Sequence, residues 1–394
     1  MLNTLLDPLV FFVFAGAALI LGRMKAGPVR LVLFLIFNLV FLGWFFGRCR
    51  GLACYLAGMF LFWQGLKRVG PEKPHSIQWC AGLVVLLLAG LVAGKYVLPF
   101  CGEISRMAMI QIWCTISLSF LTFRLIHVVV DCHEGLIKRP DPLVFLNYVF
   151  FAPVSVAGPI QKIGEFERDL LCPRPMSAGD FVSAMQRLVF GIAKKVLIAA
   201  PLTPYVLGHM EPSGEHSLLM LAAACLLYSV YIYMDFSGYT DIAIGCAALF
   251  GIRLPENFDR PWMAVNLQDF WSRWHMTLTA WLRTYLFYPL NLFLVRRHPE
   301  HGRRLAPMAA VIVTFALAGL WHGNTWNFLV FGLLHGLGIA FHILIGRRQP
   351  SLPPSTAKVW LWRVLTFAYV SLAWIPFVYP LEEIPWLMGR AIGG

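Results

Sequence analysis

The stretch that decides the fold is PMAAVIVTFALAGLWHGNTWNFLVFGLLHGLGIAFHILI, residues 307–345. It contains two apolar runs, 307–321 and 326–345, joined by the polar turn WHGNTW. A helix needs about 20 mostly apolar residues to cross the roughly 30 Å hydrocarbon core of a bilayer. The stretch therefore predicts a hairpin of two membrane helices.

The rest of the chain follows the same pattern. Of its 394 residues, 59% are hydrophobic and only 13% are charged, whereas a soluble domain carries about 25% charged residues. Apolar stretches lie near 8–22, 31–46, 52–66, 79–99, 107–130, 143–158, 181–205, 217–234, 242–250, 274–295, 307–321, 326–345 and 359–379. We therefore expect an all-α polytopic membrane protein with about eleven to thirteen membrane segments, forming a single membrane-embedded domain over residues 1–394.

The net charge of +12 has two interpretations. In a soluble protein it would suggest a nucleic-acid partner. In a membrane protein, basic residues in short loops mark the cytoplasmic side, and we favour this interpretation. A basic surface could also attract an acidic carrier protein or a nucleotide-bearing donor. The nine cysteines include no CxxC pair, so we expect small core residues rather than a disulfide framework or a metal site.

Basic loops also orient the hairpin. Four arginines at 296, 297, 303 and 304 precede it, and Arg347 and Arg348 follow it. Both flanks are therefore expected on the cytoplasmic side, with the turn pointing away from the cytoplasm. His322 lies 15 residues past Pro307, which is about 22 Å along a helix that rises 1.5 Å per residue. The sequence thus places His322 deep in the membrane, toward the external half.

An ionisable side chain at that depth is costly and suggests function. The residues around His322 are Trp321, Gly323, Asn324 and Trp326. A neutral imidazole exchanges protons near neutral pH and suits a general base. The small residues Gly319 and Gly323 would leave room for a substrate. The alternative is a core histidine bonded to a nearby carbonyl, and the residue alone supports both interpretations equally.

A second polar cluster is NLQDFWSRWHMTLTAWLRTY, residues 266–285. Asn266 is expected to cap a helix, with Asp269 as its capping-box partner, and Asp269 can pair with Arg273 at i,i+4. One helical stripe would then contain Trp271, His275, Leu278 and Leu282, flanked by Trp274 and Trp281. This spacing favours an interfacial amphipathic helix. The functional alternative makes His275 a second polar group in a cavity.

Three weaker features remain. The segment YMDFSGYTD, 233–241, contains Asp235 and Asp241, an acidic pair that could bind a cation, relay protons or brace a histidine. We favour a polar break at a helix junction, satisfied by Arg253 or Arg260. His335, thirteen residues past His322, could be its neighbour in one cavity. The segment DCHE, 131–134, is expected to be a helix end rather than a metal site.

Several segments, in this order, carry a family resemblance. They are LSFLTFRLIHVVVD (118–131), AGPIQKIGEFERDL (157–170), MDFSGYTDIAIGCAALFGIRLPENFDRP (234–261), FWSRWHMTLTAWLRTYLFYPL (270–290) and LAGLWHGNTWNFLVFGLLHG (317–336). Together they resemble the membrane-bound O-acyltransferase (MBOAT) family over roughly residues 118–336. The most similar branch contains bacterial alginate O-acetylases and the teichoic-acid D-alanyl transfer protein.

The resemblance implies a ring of helices around a central tunnel. His322 falls on the family's catalytic histidine, and His275 falls on its second polar position, in the RWH motif. The remaining candidates for substrate or tunnel contacts are Trp321, Asn324, Trp326, Trp274, Arg273, Asp235 and His335. One departure is Arg283-Thr284-Tyr285, where bacterial members often read R-D-Y. It affects the expected contacts to acceptor or partner and neither histidine.

The expected activity is acyl transfer to a hydroxyl. The family implies a thioester donor from the cytoplasm, either acetyl-CoA or an acyl-phosphopantetheine carrier protein, with no bound cofactor. His322 would be the general base, His275 or a nearby N–H would stabilise the oxyanion, and Trp321 and Trp326 would exclude water. The acceptor would be an exported polysaccharide, or alternatively a teichoic-acid-like polymer receiving D-alanine.

The family also implies an extracytoplasmic SGNH-type or acyl-accepting partner protein and the inner membrane of a bacterium. Rival interpretations from other classes are a transporter and a scaffold of a secretion complex, neither of which performs covalent chemistry. These alternatives differ from the enzyme in what replacing His322 should do. Only the enzyme requires that histidine for acylation of the polymer.

Overall fold

The computed structural model describes residues 8–46, 49–97, 118–155, 158–208, 217–346, 355–385 and 387. Within these residues the backbone is helical apart from turns and loops, and the one strand-like pairing is an isolated bridge between Phe258 and Trp274. The all-α prediction is confirmed. The beginning of the predicted 107–130 segment and the flanking Arg347 and Arg348 lie outside the described residues.

The helices have the following bounds. They are α1 (Pro8–Arg23), α2 (Pro28–Phe46), α3 (Cys49–Gly65), α4 (Ser76–Val92), α5 (Leu118–His133), α6 (Pro142–Val149), α7 (Ile163–Leu171), α8 (Ala178–Ala193), α9 (Leu218–Leu249), α10 (Leu267–Arg273), α11 (Met276–Leu282), α12 (Tyr288–Arg297), α13 (Pro299–His322), α14 (Trp326–Gly346) and α15 (Thr356–Ala373). Short helical turns lie at Leu66–Arg68, Ala93–Val97, Ala152–Val154, Lys194–Ala199, Ala200–Leu202, Thr203–Tyr205, Pro261–Met263, Arg283–Phe287 and Ile375–Val378.

Six described helical stretches are long and apolar enough to cross a membrane. They are Ser76–Val97, Ala178–Tyr205, Leu218–Leu249, Leu305–His322, Trp326–Ile345 and Thr356–Val378. The protein is thus a multi-pass membrane protein, as predicted. The two apolar runs at 307–321 and 326–345 form the hairpin of α13 and α14.

One pair of predicted segments is wrong in detail. The runs 217–234 and 242–250 belong to a single helix, α9. The polar residues between them do not break the helix. The charged ones have partners: Asp235 pairs with Lys195, and Asp241 pairs with Arg187. Charged side chains in membrane segments usually pair with one another, because an unpaired charge there is costly.

The chain divides into two compact units. The first contains Met1–Gly191 and Tyr239–Pro255, and the second contains Ile192–Gly238 and Glu256–Gly394. In the first unit, the buried Arg30 donates hydrogen bonds to the backbone carbonyls of Leu21, Leu170 and Phe250. These carbonyls lie at the C-terminal ends of α1, α7 and α9, where backbone acceptors lack helical partners and the helix dipole is negative. Arg30 therefore joins three helix ends.

The segment DCHE also belongs to the first unit. The helix α5 ends at His133, as predicted for a helix end. The His133 ring Nδ1 is hydrogen-bonded to the hydroxyl of Ser76 at 2.8 Å. This histidine therefore joins the end of one helix to the start of α4.

In the second unit, glycines bring α13 and α14 into backbone contact. A Cβ atom on Gly319 would lie 2.2 Å from the carbonyl oxygen of Phe328, and one on Gly332 would lie 2.2 Å from that of Phe315. A Cβ on Gly323 would lie 2.0 Å from the Phe328 ring. The prediction that Gly319 and Gly323 leave room for a substrate is therefore wrong, because helix packing fills that space.

Candidate active site

The predicted helix across 266–285 is interrupted in its middle. Its beginning matches the prediction, since the Asn266 side chain accepts a hydrogen bond from the backbone N–H of Asp269 at 2.8 Å. The Asp269 carboxylate accepts one from Arg273 Nε at 2.7 Å. Then α10 ends at Arg273 and α11 begins at Met276. The single stripe expected through 271, 275, 278 and 282 is therefore wrong.

The interruption is imposed by a loop earlier in the chain. Phe258 pairs with Trp274, and the Asp259 N–H donates to the Arg273 carbonyl at 2.9 Å. The Met276 N–H donates to the Asn257 carbonyl at 2.9 Å. These backbone bonds replace those that a continuous helix would form, so the two residues between α10 and α11 leave the helical path.

His275 lies at this break in a left-handed conformation, with φ 44° and ψ 52°. A non-glycine residue there stores backbone strain, which is often found at functional sites. The side chain is only 8% exposed, and its Nδ1 lies 3.1 Å from Asn257 Oδ1. The Phe236 and His275 rings pack nearly perpendicular to each other, with their centres 4.8 Å apart. The favoured prediction of an interfacial helix fails at this residue, which lies inside the unit.

Asn257 is a site residue that the sequence interpretation missed. It has no exposed surface, and its Oδ1 also accepts hydrogen bonds from Thr277 N at 3.1 Å and Thr277 Oγ1 at 2.9 Å. Its position within the family-like segment RLPENFDRP, 253–261, was the only available signal. Nothing in the spacing of 257 and 275 predicts their contact.

His322 is the last residue of α13 and is half-buried. Aromatic rings surround it, with centroid distances of 4.6 Å to Trp321, 5.2 Å to Phe377 and 5.9 Å to Phe331. His322 interacts electrostatically with both His275 and His335. The structure therefore brings the three predicted histidines of the second unit into one neighbourhood.

The environment of His275 disfavours its charged form. Burial lowers the pKa of His275 well below its usual value, and the neighbouring His322 lowers it further. Both causes act against imidazolium, because desolvation and a like charge each penalise the cation. His275 is therefore a neutral imidazole at physiological pH.

His335 has no exposed surface and lies among aromatic rings. Trp271 Nε1 donates a hydrogen bond to its Nδ1 at 3.2 Å. Phe331 contacts this ring as well as His322, with a centroid distance of 4.7 Å to His335. His335 is thus close to His322, as expected, but it is enclosed by side chains rather than facing open space.

The other predicted candidates have different environments. Arg273 pairs with Asp269 and, at 3.4 Å, with Asp259, so its guanidinium holds the loop. Asp235 pairs with Lys195; the predicted pairing with Arg253 or Arg260 is wrong. Each of these charges therefore has a structural partner.

The predicted tryptophans and Asn324 also differ in how far they are buried. Trp274 is buried and lines a largely apolar cavity of about 290 Å³. Trp321 is half-buried beside His322, whereas Asn324 is exposed and Trp326 is 72% exposed. The expected role of Trp326 in excluding water stays a prediction.

Comparison with known proteins identifies the relatives of this arrangement. Residues 133–375 match the model of the membrane-bound O-acyltransferase family, MBOAT. The chain is 28% identical to "Probable alginate O-acetylase AlgI" of Azotobacter vinelandii, over 97% of this chain and 76% of that protein. It is 33% identical to a peptidoglycan O-acetyltransferase of Helicobacter pylori, over 59% of this chain and 44% of that protein. A teichoic acid D-alanyltransferase of Bacillus subtilis is 27% identical, over 66% of this chain and 68% of that protein.

Proposed function

This chain belongs to the membrane-bound O-acyltransferase family, and we propose that it moves an acyl group from a cytoplasmic thioester to a hydroxyl of an exported cell-envelope polymer. The observation that carries the proposal is the grouping of His275, His322 and His335 in one aromatic neighbourhood of the second unit. His322 and His335 lie in the apolar helical stretches Leu305–His322 and Trp326–Ile345, and an ionisable side chain in a membrane segment is costly and marks a functional site.

His322 is the general base in this proposal. It takes the proton of the acceptor hydroxyl as the oxygen attacks the thioester carbonyl carbon. The carbon–sulfur bond then breaks, and the same proton passes to the leaving sulfur, giving an ester and a free thiol. Base catalysis of this kind contributes about 10²–10⁴-fold. The position of His322 at the end of α13, next to a turn, leaves it more accessible than His275 or His335.

The donor is acetyl-CoA or an acyl group on the phosphopantetheine of a carrier protein. Both carry phosphate, and the net charge of +12 favours an anionic cytoplasmic donor. The arginines at 296 and 297, at the end of α12, precede the helix that leads to His322. By the positive-inside rule, that end of the hairpin faces the cytoplasm.

The acceptor is proposed to be a polysaccharide that receives acetyl groups. The alignment with the protein named as an alginate O-acetylase covers 97% of this chain, whereas that with the D-alanyltransferase covers 66%. D-alanyl transfer to a teichoic-acid-like polymer is the second candidate. An extracytoplasmic SGNH-type or acyl-accepting protein would complete delivery, and the bacterial relatives favour the inner membrane of a bacterium.

The test is His322→Ala, with His342→Ala as the matched control. His342 lies on α14, belongs to the same unit and is half-buried. At equal membrane levels, we expect the His322 variant to lose ester-linked acyl groups on the exported polymer and the control to retain them. Normal acylation in the His322 variant would contradict the proposal that the protein is an acyltransferase with His322 as its base. Continued acylation with impaired solute movement would indicate the transporter instead, and full activity with normal assembly would indicate the scaffold.

A further inference from the structure

We propose that Asn257 is a positioning residue that fixes the proton of His275 on Nδ1, so that His275 presents the lone pair of Nε2 to the reaction. The inference rests on the proposed acyl transfer and names a residue that the expected mechanism did not include. It begins with the three hydrogen bonds that converge on one oxygen, Asn257 Oδ1.

The identity of that oxygen follows from its partners. The backbone N–H of Thr277, 3.1 Å away, can only donate. An amide oxygen accepts hydrogen bonds, whereas the amide NH₂ of the flipped orientation would face the Thr277 N–H with another donor. The oxygen orientation is therefore required by Thr277, independently of His275.

The tautomer of His275 follows from that orientation. Asn257 Oδ1 cannot donate, so His275 Nδ1, at 3.1 Å, must carry the proton. A neutral imidazole has one N–H, so Nε2 carries a lone pair. In this form His275 can receive a proton or accept a hydrogen bond. It cannot donate to an oxyanion, so the expected oxyanion role would require another N–H group.

The backbone reinforces the arrangement. The carbonyl of Asn257 accepts the Met276 N–H at 2.9 Å, and Met276 follows the strained His275 directly. Asn257 thus holds the break in the helix through its backbone and the imidazole through its side chain. Full burial of Asn257 keeps water from replacing these bonds.

The direct test is ¹⁵N NMR of the full-length protein in lipid nanodiscs, with ¹⁵N-labelled histidine. The His275 signals are assigned by their disappearance in the variant His275→Asn. Asparagine is chosen because it tolerates the left-handed conformation. We expect wild-type His275 to be neutral with its proton on Nδ1. A proton on Nε2 in the wild type would overturn the inference, whatever the activity of the enzyme.

Three variants connect the tautomer to the chemistry. Asn257→Asp keeps an acceptor oxygen and should keep the proton on Nδ1 and most of the activity. Asn257→Ala removes the acceptor and should populate the Nε2–H tautomer. A wrong tautomer costs about 10⁴-fold in a serine protease triad, so we expect kcat to fall at least about 10-fold with little change in KM. Thr277→Val removes one hydroxyl bond to Asn257 and should stay within about 3-fold of wild type.

These measurements distinguish failure of the positioning role of Asn257 from failure of the proposed acyl transfer. If Asn257→Ala changes the tautomer but not kcat, the positioning role is wrong, while the acyltransferase proposal stands on His322→Ala. If Asn257→Ala does not fold, the wild-type spectrum still tests the tautomer, because a proton on Nε2 there would overturn the inference. If the wild-type tautomer is as expected but no acyl transfer occurs in the wild type, the proposed function fails.

Discussion

His127 in the first unit and His275 in the second are both buried histidines, 1% and 8% exposed. His127 Nε2 accepts the Ile163 backbone N–H at 3.1 Å. This nitrogen therefore satisfies a buried backbone group. His275 forms its bond to a side chain, occupies a left-handed position and interacts electrostatically with His322.

The difference shows that burial alone does not identify a functional histidine in a membrane protein. A buried imidazole that accepts from a buried backbone N–H contributes stability, because an unsatisfied buried group costs about 1–3 kcal/mol. One that is oriented by a side chain, beside another histidine, keeps a nitrogen for chemistry. Both residues lie in segments that resemble the MBOAT family, 118–131 and 270–290, so the resemblance by itself does not show which histidine is functional.

The largest expected effect concerns His275 and His322 together. If the two histidines act in one step, His275→Asn and His322→Ala should each reduce acyl transfer by about 10²-fold or more, because base catalysis contributes on that scale. The double variant should lose little more than the worse single variant, since residues that act as a unit are strongly non-additive. Single-turnover transfer measures this, and losses that multiply would show independent roles.

An intermediate effect is expected at the contact of α13 with α14. Gly332→Ala places a methyl group 2.2 Å from the Phe315 carbonyl oxygen. Overpacking costs about 1–3 kcal/mol, and a displaced α13 would also move His322. We expect a lower unfolding temperature and slower transfer. The control is Gly82→Ala on α4, where nothing lies within 4 Å of the added atom; equal effects of both variants would contradict this packing.

The smallest effect is expected at Arg273, which neighbours the helix break but pairs with Asp259 and Asp269. Partly exposed ion pairs contribute about 0–1 kcal/mol. Arg273→Gln should therefore change the unfolding free energy by less than about 1 kcal/mol and leave transfer within a few-fold of wild type. A loss as large as that of His275→Asn would instead give Arg273 a direct role with substrate.

The membrane hairpin with His322 at its turn could be predicted because apolar length is a local property of the sequence. The environment of His275 could not, because its helix break depends on a bridge from Phe258 and a side chain at Asn257, both more than a dozen residues earlier. Helical periodicity over 266–285 contains no trace of these tertiary contacts. The same holds for Asp235, whose partner Lys195 lies 40 residues away.

The most direct test of the comparison is the same substitution at both histidines, with transfer rate per folded protein and unfolding temperature measured on each purified variant. We predict that His275→Asn lowers the rate about 10²-fold with little change in unfolding temperature. His127→Asn should lower the unfolding temperature, because the buried Ile163 N–H loses its partner, and keep the rate per folded molecule. A slow but stable His127 variant together with an active but unstable His275 variant would contradict the account.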